Sequence, residues 1–340
     1  MKNFMYEHII IFFILFNFFL FLFFNQITKK FNIFDKQDGI RKFQKREIPL
    51  IGGTILYFNL IYFFFLNIFF PINFFDNFFQ FNTREFFTLI FGISTCYLIG
   101  LYDDKYQFSA NQKLIYNILI ISILLLLDDS LVITVLKFSF LHELIELRSF
   151  SYVFTVLCFL LFINALNMFD GINLQVISYS IIVFSIFIIK DVFVSLSIII
   201  ILSLIFISFY NFKNRAYLGD SGTQLLSFTI SYIFIKSYNY SYIFIPDEIF
   251  IIMILPGLDM FRLFLYRIYK GKHPFKGDLN HLHHLLGKRT SPLFTFLIPQ
   301  LVIILSILLY YFVNNKIYVL LGCVSFYIIF LFLLIKFKNN

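Results

Sequence analysis

The sequence predicts an all-α fold, a polytopic membrane bundle of about 11 transmembrane helices with the N-terminus outside and the C-terminus cytoplasmic. Three observations carry this. Only 14% of the 340 residues are charged and 60% are hydrophobic, against about a quarter charged in an ordinary soluble domain. Apolar runs of bilayer length recur from end to end, and mean hydropathy is +0.86. Finally, of the 27 Lys and Arg residues, only Lys2, Arg84, Lys137, Arg148, Lys190, Lys236 and Lys316 fall in loops on one side of the predicted bundle. The other side holds the rest and is cytoplasmic by the positive-inside rule.

A membrane helix needs about 20 mostly apolar residues. The runs that qualify lie near 8–27, 50–70, 85–101, 112–127, 151–169, 175–190, 192–210, 222–238, 247–267, 293–313 and 317–335. The first is too long for a signal peptide and lacks a small-residue cleavage site, so it reads as a span. No internal repeat interrupts the series, and residues 1–340 read as one transmembrane domain. The net charge of +8 is mostly the loop asymmetry, so no nucleic-acid partner is needed. The abundance of Phe (54) with no Trp reads as genome base composition. Cys96, Cys158 and Cys323 stand singly in apolar runs, as small buried hydrophobes do.

Polar motifs interrupt this pattern at four places. Asn164 to Asn173 follows an apolar run yet carries three amides, a carboxylate and Gly171. Three residues turn a helix about 60° short of a circle, so Asn164, Asn167 and Asp170 share a stripe and Asn173 does not. For all four to serve one site, the helix must break near Gly171; otherwise the segment is a helix ending in polar residues at the headgroups. Asp103-Asp104 closes the third run. A carboxylate at a span's centre costs about 3 kcal/mol, which puts the pair at the water edge, facing a divalent metal or a cation such as Lys105, or serving as a stop signal. The same dipeptide at Asp128-Asp129, on the outer side, reads as structural.

Leu218 to Gly222 opens the eighth run. Asp220 there can hold a cation that bridges to phosphate oxygens, or cap the following helix. His281-Leu282-His283-His284 lies among Lys272, His273, Lys276, Lys288 and Arg289. Imidazoles mixed with cations read as a phosphate cradle, with a metal site as the weaker rival. His142-Glu143 imitates a zinc-protease helix but lacks the second His and falls outside. It is rejected, and 128–150 is expected to be an outer loop with a short hairpin or interfacial helix. All four retained motifs fall on the cytoplasmic side.

In order and spacing, these residues are highly specific. Arg41-Lys42 with Pro49 to Gly53, Asp103-Asp104, the amide stretch 164–173, Gly219 to Gly222, Pro256 to Asp259 and His281 to His284 resemble the polyprenyl-phosphate N-acetylhexosamine-1-phosphate transferase superfamily, glycosyltransferase family 4. The resemblance implies transfer of an N-acetylhexosamine 1-phosphate from a UDP-sugar to undecaprenyl phosphate, releasing UMP. The step would initiate synthesis of a surface polysaccharide or other envelope glycan. It implies Mg²⁺, with Mn²⁺ able to replace it, a place in the bacterial inner membrane with the site on the cytoplasmic face, and allows a homodimer. By resemblance, Asn167 and Asp220 hold the metal-diphosphate, and Asp103, Asp104 and Asp170 join Asp220 as catalytic residues. Asn173 would lie near the uracil, while Lys42, Asn164, Lys276, His281, His283 and His284 complete the substrate contacts. Leu174-Gln175 departs from the usual Gly-Leu after Asn173, as in branches that make surface-polysaccharide precursors. Leu279 and Gln44 replace a basic residue and a His. The competing readings are the peptidoglycan-precursor transferase, a transporter or lipid flippase, and a catalytically inactive assembly protein.

Overall fold

The computed structural model describes residues 2–35, 47–69, 83–274 and 278–336. Lys42 and Lys276 lie outside the described residues. Those described form fourteen α-helices and two short two-stranded ribbons. The chain divides into two compact units, Met1–Asp128 with Val176–Ile233, and Asp129–Gln175 with Phe234–Asn340.

The first unit contains α1 (Lys2–Leu22), α2 (Phe24–Phe31), the ribbon β1 (Phe34–Asp35) with β2 (Ile48–Pro49), α3 (Gly52–Phe69), α4 (Thr83–Tyr106) and α5 (Ala110–Leu127). Helices α7 (Gln175–Ile189) and α8 (Val194–Phe212) complete it, with the start of α9 (Gly219–Ser241). Helix α3 packs against α8, α4 and α1, and α4 against α5. Close approach at one end has a simple cause. A Cβ on Gly53 would lie 2.3 Å from the backbone nitrogen of Gly222, so the Gly-Gly pair that opens α3 allows it to meet α9 backbone to backbone. There Tyr217 N–H donates to Pro49 O (3.0 Å), Gly52 N–H to Tyr217 O (3.0 Å) and Gly53 N–H to Leu218 O (2.9 Å).

The second unit contains α6 (Ser151–Phe169), the end of α9, α10 (Pro246–Ile252), α11 (Ile254–Tyr269), α12 (Leu282–Gly287), α13 (Pro292–Phe312) and α14 (Lys316–Lys336). Helix α11 lies against α6, α13 and α14. Segment 128–150 forms the expected hairpin, β3 (Val135–Leu136) with β4 (Ile145–Glu146), flanked by 3₁₀ turns. It is fastened by Tyr238, whose hydroxyl donates to Val135 O (2.7 Å).

Among the described residues, six helices are long and apolar enough to cross a membrane, or up to eight if each bent pair is one span. The chain is a multi-pass membrane protein. Two expected spans are not continuous. Run 8–27 bends by 63° between α1 and α2, and run 247–267 by 83° between α10 and α11. Pro256 explains the second break, because it has no N–H for the carbonyl of Ile252, where α10 ends. Helix α7, with 15 residues, is short of the ~20 that a straight span needs. Helix α9 is long enough but carries Asp220, Ser221, Thr223 and Gln224 in its first turns.

Candidate active site

In the first unit, the C-terminal end of α4 meets the first turn of α9. Asp104 reaches from α4 to accept the backbone N–H groups of Asp220 (2.7 Å) and Ser221 (3.0 Å). These amides have no partner within their own helix, so a carboxylate supplied by another helix does the work of an N-cap. Gly219 makes room for it. The backbone there is left-handed (φ +75), and a Cβ would lie 2.6 Å from Asp104 Oδ2. The capping role that the sequence left open for Asp220 belongs to Asp104.

The side chain of Asp220 serves something else. Lys113, from the first turn of α5, places Nζ 2.8 Å from Asp220 Oδ1 and 2.5 Å from Asp103 Oδ2. Asp103 is buried, and its other oxygen accepts the N–H of Phe108 (2.7 Å), which ties down the turn between α4 and α5. A capping box at Ser109 and Gln112 then starts α5 and aims Lys113. One ammonium thus lies between two carboxylates, with a third carboxylate on the adjoining backbone. The cluster is deficient in positive charge. Its hard oxygen donors suit Mg²⁺ or Mn²⁺ by type, although among the described residues no three His, Cys, Asp or Glu side chains are grouped to hold a metal ion.

The second unit gathers its polar residues at the end of α6 and around α12. Helix α6 stops at Phe169, and Asp170 (φ −78, ψ 62) turns the chain out of it, so the expected break occurs. The left-handed residue in the turn is Leu174 (φ 65) rather than Gly171. Gly171 is needed for space, since a Cβ would lie 1.9 Å from His283 Nε2. The amide stretch and the His loop are therefore in direct contact here. Asn164 donates to Leu160 O within its own helix (2.7 Å). Asn164, Asn167 and Asn173 are half-buried and Asp170 is exposed.

The His loop is braced by α11. Asp259 Oδ1 accepts from Arg262 Nη2 (2.6 Å) and from the Tyr327 hydroxyl of α14 (3.0 Å). Its Oδ2 accepts the N–H of Leu282 at the start of α12 (3.2 Å) and lies 3.7 Å from His281 Nδ1. Arg262 also donates to Asn280 O (2.7 Å), and buried Arg267 to Asp278 Oδ2 (3.0 Å) and Pro274 O (2.7 Å). Burial alone would raise the Asp278 carboxyl, but Arg267 and the Asn280 N–H outweigh it and hold the group below its ordinary value. The rings of His281 and His283 are stacked 5.3 Å apart, and those of His283 and His284 lie 4.2 Å apart.

Burial, then the neighbouring imidazoles of His284 and His281, pushes His283 down to about 3, well below the ordinary 6.5. The folded protein keeps this ring neutral where an unfolded chain would protonate it. Below pH 6.5 the unfolded state binds the extra proton, so stability falls as the pH drops from 6.5 towards 3. A His283→Gln variant is expected to recover about 2 kcal/mol of the stability lost between pH 7 and pH 5. Thermal unfolding in detergent across that range measures it, and an unchanged acid sensitivity would assign the loss to other groups.

Sequence reasoning missed Lys113, Arg262, Arg267 and Tyr327, and named Asp259 as part of a family motif without giving it a role. Arg262 stands three residues after Asp259, a helical pairing distance, and Arg267 is an ionisable residue in an apolar run, which by itself marks function. Lys113 carried no such signal.

The chain is thus a multi-pass helical membrane protein with carboxylates around a lysine in one unit and arginine-braced histidines in the other. Residues 86–238 match glycosyl transferase family 4, a segment containing Asp103, Asp104, Lys113, Asn164 to Asn173 and Asp220 but not the His loop. The chain is 29% identical over 228 residues to the probable undecaprenyl-phosphate N-acetylglucosaminyl 1-phosphate transferase of Bacillus subtilis, covering 62% of each chain. It is 24% identical over 281 residues to the undecaprenyl-phosphate alpha-N-acetylglucosaminyl 1-phosphate transferase of Escherichia coli K12, covering 78% of this chain and 72% of that one. The protein of the same name from Yersinia pestis is 24% identical over 275 residues, 77% of this chain and 71% of its own. The chain thus spans less than two thirds of the Bacillus relative. The family match and the relatives agree with the resemblance that the motifs carry: over these segments the chain is similar to members of glycosyl transferase family 4.

Proposed function

We propose that this protein transfers a sugar 1-phosphate, an N-acetylhexosamine 1-phosphate, from a UDP-sugar to undecaprenyl phosphate and releases UMP. The observation that carries this reading is Lys113 held between Asp103 and Asp220, in the segment that matches the family. The names of the relatives supply the acceptor lipid and the sugar class.

In this reaction an oxygen of the lipid phosphate bonds to the sugar-bearing phosphorus, and the bond from that phosphorus to the bridging oxygen of UMP breaks. A phosphate monoester has its second pKa near ~6, so at neutral pH the acceptor is mostly a dianion already and needs no base. Asp103, engaged by Lys113 and the Phe108 N–H, acts by positioning. The difficulty is bringing anion to anion, which preorganised positive charge relieves. Lys113 offsets only part of the Asp103 and Asp220 charge, which leaves that cluster to a cation, while the His281, His283 and His284 loop supplies donors. We assign Mg²⁺ to Asp220 and, by the family resemblance, Asn167; when bound, it would neutralise diphosphate charge. Asp104 acts through the start of α9, while Asp170, Asn164 and Asn173, with Lys42 and Lys276, are assigned to substrate by resemblance.

The proposal includes eleven spans in one transferase domain, the N-terminus outside, the C-terminus and site cytoplasmic, and a homodimer as an allowed state. Purified protein in detergent is expected to release UMP from UDP-N-acetylglucosamine or a related UDP-N-acetylhexosamine only when undecaprenyl phosphate and Mg²⁺ are both present. Release from UDP-N-acetylmuramoyl-pentapeptide alone would move the protein to the peptidoglycan branch. No release from any donor would overturn the assignment in favour of a transporter or an inactive assembly protein.

A further inference from the structure

Away from these clusters, the first unit has a groove of about 1090 Å³ where α1 ends and α2 turns across it. Its apolar wall includes Phe21, Leu22, Phe24 and Tyr210, with the ring of Phe24 stacked on Tyr210 at 4.1 Å. Phe21 and Leu22 are exposed. They stand at the end of an apolar helix, beside the last turns of α8, a helix long enough to span a membrane. The polar rim is formed by Lys29, Lys213 and Arg215, all exposed. Among the described residues, none of the three pairs with a carboxylate. Glu47 is the one acid lining the groove.

The 63° bend gives the groove its character. Helix α2 has no fully buried residue and carries Lys29 and Lys30 in its last turn. A short helix with an apolar face and lysines, set across the end of a span, has the form of an interfacial helix. Cations over an aromatic and aliphatic wall match a ligand that is anionic at one end and hydrocarbon at the other. A soluble phosphate would use the rim and leave the wall idle.

We propose that this groove binds an anionic glycerophospholipid. The headgroup phosphate is taken by Lys29, Lys213 and Arg215, and the first acyl carbons lie along Phe21, Leu22 and Phe24. The site is separate from the candidate active site but joined to it by backbone. Arg215 lies five residues before Asp220, and the Tyr217 N–H is held by the carbonyl of Pro49, which also lines the groove.

Native mass spectrometry of the full chain in detergent, with equal amounts of dioleoyl-phosphatidylglycerol and dioleoyl-phosphatidylcholine, tests binding without reference to turnover. The first retained lipid is expected to be phosphatidylglycerol. A basic side chain at an anionic lipid surface is worth about 1 kcal/mol, or about fivefold, so each of Lys29→Gln, Lys213→Gln and Arg215→Gln should weaken that preference by about fivefold. Lys270→Gln with Lys272→Gln, exposed in the second unit, should leave it unchanged. The assignment is overturned if the unaltered protein retains both lipids equally, or if the triple variant keeps the preference. Equal losses in the Lys270 and Lys272 variant, or displacement of the lipid by millimolar inorganic phosphate, would also overturn it.

Discussion

Replacing Asp220 by Asn is expected to leave the protein folded and to lower turnover by about 10²–10³-fold, the usual effect of removing one preorganised electrostatic contact from a reaction centre. The two halves of this expectation come from different atoms of one residue. Its backbone N–H is held by Asp104, so the start of α9 does not depend on the side chain. Its carboxylate is one of two that flank Lys113. In the variant, Lys113 keeps Asp103 and loses its second anion, and the cluster loses an anionic oxygen assigned to the cation while the helices stay packed. UMP release and thermal unfolding in detergent, measured on the same preparation, separate these outcomes. Near-normal turnover would remove Asp220 from the site. A large drop in the unfolding temperature would make its role structural.

Gly100→Ala is expected to lower stability strongly. A Cβ there would lie 2.4 Å from both Asp220 O and Ser221 Cα, and 2.6 Å from the Asp220 carbonyl carbon. These are backbone atoms, so no rotamer change can relieve the contact, and α4 and α9 must move apart. Overpacking of this kind costs about 1–3 kcal/mol and sometimes more. It would also stretch the bonds from Asp104 to the Asp220 and Ser221 N–H groups. Gly257→Ala in α11 is the control. A Cβ there meets nothing within 4 Å, and Ala is favoured over Gly in a helix by about 0.5–1 kcal/mol. Gly100→Ala should lower the unfolding midpoint in detergent and Gly257→Ala should hold or raise it. Equal midpoints would mean that α4 and α9 do not approach as closely as described.

How much of this was legible in the sequence depended on the range of the forces involved. Helical class and the position of most helices followed from apolar runs, because burial in lipid acts on about twenty consecutive residues at once. The bend at Met253 was also open to reading, since Pro256 marks it locally. The bend at Phe23 was not, because Phe23 and its neighbours carry no breaker. The acids were found singly by their contrast with apolar surroundings. Their division of labour was hidden: Asp104 and Asp220 are adjacent only because Gly53, Gly100 and Gly219 let backbones touch across long stretches of chain. Lys113 was counted as one more cytoplasmic charge. The break after Asp170 was expected, but for the wrong reason, since Gly171 makes room for His283 rather than supplying an unusual φ.

The reliance of one helix on a carboxylate from another also bears on biosynthesis. The amide of Asp220 that Asp104 accepts lies 116 residues further along the chain. Until α9 is made, neither of the two amides that hold that acid exists. The end of α4 cannot reach its final seating until α9 has left the translocon. A nascent chain arrested before Asp220 would hold Asp104 without the two amides that fix it, while Asp103 already has the Phe108 N–H and Lys113.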